Sequence, residues 1–61
     1  MSIEDKAISY VQMQIMDNWR TVMKYEDQLR EIGNDDIIQD CIANAKDRIE
    51  IYTIILNKFE Q

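Results

Sequence analysis

A chain of 61 residues with no histidine, no proline, one cysteine and one glycine is too short for more than one domain, and it lacks the ligands for a structural zinc site. Seven basic and twelve acidic residues give a net charge of −5, spread over both halves, so no basic block is present to draw a nucleic-acid backbone or an anionic membrane. A domain this small buries only about 60% of its unfolded surface, and without an internal disulfide or a metal the expected supplement is self-association or folding against a partner.

The opening residues MSIEDK carry acids where a secretory signal carries basic residues and then an apolar run, so no signal peptide is expected. One cysteine and no disulfide framework fit a reducing compartment, and the expected location is cytoplasmic. The longest aliphatic run, Ile54-Ile55-Leu56, is far short of the roughly 20 residues that cross a membrane. No membrane contact is expected.

Ser2 is followed three residues later by Asp5, which marks a helix start, and Glu4 and Asp5 suit a helix N-terminus. Nothing then breaks a helix before Gly33. Ile8, Val11, Ile15, Trp19, Val22, Tyr25, Leu29 and Ile32 recur at spacings of three and four, a helical stripe ~45 Å long. Gly33-Asn34-Asp35-Asp36 is a turn and capping cluster. Glycine there is expected to end the helix in the left-handed conformation, and Asp36 to cap the next helix with Gln39 completing a capping box, with Asn34 and Asp35 as the alternative caps.

The second stripe is Ile38, Cys41, Ile42, Ala45, Ile49, Tyr52, Leu56 and Phe59. It includes the segment IEIYTIIL (49–56), which in isolation looks like a β-strand. Ile49, Tyr52 and Leu56 continue the stripe without a phase break, and an isolated strand has no partner, so helix is predicted.

The expected fold is therefore all-α: one domain over 1–61, an antiparallel two-helix hairpin with helices at about 3–32 and 36–60, dimerising into a four-helix bundle. The intrachain seam is predicted from Ile8, Val11, Ile15, Trp19, Val22 and Leu29 on one helix. Ile38, Ile42, Ala45, Ile49, Tyr52, Leu56 and Phe59 face them from the other. Ile3, Tyr10, Met13, Ile51, Ile54 and Ile55 fall off the two stripes near the termini. Such an apolar patch marks an oligomer or partner interface, with Met13, Met16 and Met23 adding adaptable thioethers.

Glu26 falls within the first stripe, where a carboxylate has to be paired or reach the bundle edge, and Arg30 one turn on is the expected partner. Arg48 at the rim of the second stripe lies near Trp19, whose expected role is core packing and whose alternative is to carry the stacked guanidinium. Arg20 and Lys24 share an outer face, with Lys6 two to three turns away on the same side, among Asp17, Asp27 and Glu31; the expected reading is charge-laced solvent surface, and the alternative is a short basic patch that touches a phosphate. Catalysis needs a nucleophile with a base, a tuned acid–base pair or a metal. No such constellation occurs, so no enzyme activity, catalytic residue, metal or cofactor is expected.

In length, acidity and two-helix organisation the chain resembles the dimeric hairpins of the Rop-type plasmid copy-control proteins. No motif is shared, so no residue and no RNA-binding role carries over. The function expected is that of a small non-enzymatic regulator of the phage or plasmid type. It acts as a homo-oligomer, with a dimer favoured, and binds and modulates an unidentified protein partner. The alternatives are an RNA- or nucleotide-binding hairpin, though nucleic acid is the disfavoured partner, and an acidic nucleic-acid mimic that inhibits a DNA-binding protein.

Overall fold

The structure, a computed structural model, describes residues 2–60. Two helices account for nearly all of it: α1, Ile3–Ile32, and α2, Asp36–Glu60. They pack antiparallel as a hairpin of 45 × 17 × 13 Å, and no strand occurs among the described residues. The segment 49–56 is helical throughout.

Local chemistry sets the ends. Ser2 caps α1, its Oγ accepting from the Asp5 N–H at 3.1 Å, with Glu4 and Asp5 in the first turn. α1 stops at Gly33, whose φ of 84° and ψ of −159° lie in a region that only glycine occupies readily. The left-handed helical conformation expected there is not the one adopted, because ψ has the opposite sense. The cap of α2 is Asp35 rather than Asp36. Its Oδ1 accepts from the N–H groups of Ile37 and Ile38 at 2.9 and 3.1 Å, while Gln39 reaches back to the Asn34 side chain at 2.8 Å. Asp36 lies in the first helical turn, where its charge suits the helix dipole.

The seam is narrow. Val22, Ala45 and Ile49 form its buried centre with Ile15 and Ile42 packed against them, and Val11 is buried nearer the termini. Ile8, Leu29, Ile38, Tyr52 and Leu56 are half-buried along the same line. The fourth position of this line in α1, after Ile8, Val11 and Ile15, is a surprise. Asn18, 7% exposed, is the one buried polar residue among those described, and it lies where the sequence pattern placed Trp19.

Trp19 is 46% exposed and Phe59 45%, so neither is the enclosed seam residue expected. For Trp19 the reason is angular. Ile8, Val11, Ile15, Asn18, Val22, Tyr25, Leu29 and Ile32 alternate spacings of three and four without a fault, as a heptad with a at Ile8 and d at Val11. Trp19 then falls at e, one step round the helix from the seam. Phe59 lies in the last turn of α2, where little of α1 remains to cover it.

Candidate interaction surface

In α2 the seam residues Ile38, Ile42, Ala45, Ile49, Tyr52, Leu56 and Phe59 likewise alternate as d and a. Two antiparallel helices are related by a local twofold axis normal to their common plane, so like-lettered flanks lie on the same side of the hairpin. One side carries the c and g positions of both helices. The other carries b and e. The helices close more tightly on the first: Ala7, Gln14, Thr21 and Gln28, the g residues of α1, are all half-buried, whereas the e residues Gln12, Trp19 and Glu26 are exposed.

Arg48 stands at a g position of α2 and makes the interhelical link on that side. Its Nε donates to Asn18 Oδ1 at 2.8 Å, and Asn18 Nδ2 donates to the Gln14 carbonyl at 2.7 Å. Both polar ends of the buried amide are thereby satisfied, as burial demands. This replaces the stacking of Arg48 on Trp19, which occupies the opposite flank. Asn18 was hidden in the sequence by its polarity. The unbroken spacing of three and four that includes it was the available signal.

The six residues expected as an association surface are all substantially exposed, from 37% at Ile55 to 79% at Ile3. They do not form one patch. Ile3, Tyr10, Ile51 and Ile55 occupy c and g positions and share the Arg48 side near the termini, whereas Met13 and Ile54 sit at f, on the outer edges. A second apolar strip, Met16, Trp19 and Met23, runs along the opposite side of α1, each residue about half exposed.

Glu26 is exposed at an e position and reaches the edge of the hairpin. Arg30 pairs with Asp27 instead, three residues earlier, in an exposed ion pair. Arg20 faces Asp17 at 3.7 Å, and Lys24 is exposed on the same helix. Cys41 is a half-buried free thiol on the Arg48 side. Among the described residues there is no cavity and no cluster of metal-ligating side chains, and no described helix is long and apolar enough to cross a membrane.

No family model matches the chain, and no curated protein or solved structure shows significant similarity to it.

Proposed function

We propose that this chain is a non-enzymatic interaction protein that works as a homodimeric four-helix bundle and modulates another protein. The supporting observation is its excess of exposed surface. A compact chain of 7.3 kDa exposes about 4,200 Å², whereas this hairpin exposes 4834 Å². The difference, about 630 Å², lies at the lower end of the ~600–1,000 Å² that each partner buries in a standard interface. Its buried apolar core is only Val11, Val22, Ala45 and Ile49, thin support for ordering two long helices. A second copy on the Arg48 side covers Ile3, Tyr10, Ile51 and Ile55. That leaves the Met16–Trp19–Met23 strip for the other protein: tryptophan is enriched at binding hot spots, and thioethers adapt to varied surfaces.

The RNA-binding alternative rests on Arg20 and Lys24, which stand among the acids Asp17, Asp27 and Glu31 on the same helix, so no observation favours it. The partner-binding reading is tested by cross-linking in a lysate of the source cells, comparing wild type with Trp19→Ala. A protein other than this chain that is captured by wild type and lost with Trp19→Ala supports the reading. Capture that ignores the substitution contradicts it.

A further inference from the structure

The three arginines of this chain are held in different ways. Arg20 and Arg30 each have an aspartate three residues earlier on their own helix, Asp17 and Asp27, and each faces it. Arg48 has no such partner. The residues three and four positions away along α2 are Asn44, Ala45, Ile51 and Tyr52, none of them acidic, and no carboxylate of the described residues stands within ion-pairing distance of it. It is instead fixed through Nε by the neutral amide of Asn18. A guanidinium has five N–H donors in a rigid fork. With Nε committed, the two terminal nitrogens of an exposed side chain remain oriented and free of any carboxylate, a geometry suited to a bidentate partner.

We infer that this fork receives Asp17 of a second copy of the chain, and that the pair sets the arrangement of the dimer. The inference rests on the homodimer proposed above and specifies its geometry. On the Arg48 side α2 presents Ile37, Cys41, Asn44, Arg48, Ile51, Ile55 and Lys58, without one acid. The acids on that side are Asp17 and Glu31, both at c positions of α1. Asn18 and Arg48 are level across the seam, so Asp17 lies within roughly 3 Å of Arg48's level and Glu31 roughly 20 Å from it.

Two hairpins packed face to face have a twofold axis in the plane between them. If that axis runs along the hairpin, α1 of each copy lies over α2 of the other and levels are preserved. Asp17 then meets the partner subunit's Arg48, twice over, and Tyr10 lies over Ile55. If the axis runs across the hairpin, α2 lies over α2 and each fork faces a flank without a carboxylate. Charge complementarity selects the first arrangement, with both turns at the same end. Asp17 is free to serve: its contact with Arg20, at 3.7 Å between side chains more than half exposed, is too long for a hydrogen bond.

The test is charge exchange between chains, read by native mass spectrometry on full-length protein. Asp17→Arg and Arg48→Glu each place two like-charged pairs in their own homodimer, and each is expected to weaken it about tenfold or more. Mixing the two variants restores opposite charges at both pairs. The heterodimer is expected to dominate the mixture and to match the wild-type affinity. A statistical mixture, or an Asp17→Arg homodimer as tight as wild type, overturns the inference while leaving the dimer itself standing. The second of these outcomes does not depend on Arg48→Glu folding, since Asp17 is an exposed residue outside the seam. Wild-type protein that stays monomeric, its face reserved for a different protein, overturns the dimer and this arrangement together.

Discussion

Arg48 of α2 donates its Nε–H to Asn18 of α1 at 2.8 Å, the one side-chain hydrogen bond that joins the two helices among the described residues. It places a polar group in the middle of a seam otherwise built from aliphatic and aromatic side chains. A buried amide of this kind typically costs stability and confers a single register, because shifted pairings strand it without a partner.

Substitution at Asn18 should therefore separate stability from uniqueness. Asn18→Ala removes the bond and leaves the guanidinium to water, at a cost of about 1–2 kcal/mol. Asn18→Leu fills the site with apolar surface and should hold or raise the melting temperature, yet broaden the set of oligomers. Thermal denaturation by circular dichroism and native mass spectra of both variants check the two halves of this prediction. An Asn18→Leu protein that is both less stable and uniquely dimeric would contradict it.

The centre of the seam tolerates no added volume. Ala45 is 0% exposed and packs with Val22 and Ile49, so Ala45→Leu should force the helices apart and cost about 1–3 kcal/mol. Urea titration measures this directly. Ala43, exposed on the other flank of the same helix, is the control, and Ala43→Leu should change stability by no more than about 0.5 kcal/mol.

The turn yields two contrasts. Gly33→Ala meets no side chain or backbone within 4 Å, so its expected cost of about 1–3 kcal/mol comes from the backbone conformation alone. Gly33→Asn should be no better than Gly33→Ala, because asparagine relieves the left-handed helical region and not this one. Asp35→Ala should lose about 1 kcal/mol with the cap, whereas Asp36→Ala loses only a dipole interaction of a few tenths. Equal effects at Asp35 and Asp36 would show that the two hydrogen bonds to Asp35 contribute nothing.

Much of this architecture can be read from the residue order. A single glycine, no proline and an aspartate-rich turn divide the chain into two helices whose observed limits, Ile3–Ile32 and Asp36–Glu60, coincide with those expected. The strand-like composition of 49–56 is overruled by its phase with Ile38 to Ala45. What resists reading is rotation about the helix axis. Skipping Asn18 because it is polar shifts the stripe by one residue, and Trp19 and Glu26, seven apart and on one flank, are drawn into the seam together. The choice between Asp35 and Asp36 as cap has the same root: both can accept from the following N–H groups, and only the turn geometry decides.

The two sides of the hairpin should respond differently to charge. Ile51→Glu, beside Arg48 on the proposed contact side, is expected to abolish association at micromolar concentration. Ile54→Glu, at the outer edge, should weaken it far less, although both residues are about half exposed in the single hairpin. Sedimentation velocity on the two variants distinguishes them, and equal loss at both positions would contradict a contact confined to the Arg48 side.

The central claim is that a hairpin with so small a buried core folds stably by joining a second copy of itself. Native mass spectrometry of the untagged wild-type chain, from high micromolar to sub-micromolar concentration, tests it most directly. A species of twice 7.3 kDa, giving way on dilution to monomer with reduced helix content, is the predicted result. A fully helical monomer across the whole range would contradict the claim, and the Arg48 side would then belong to another protein.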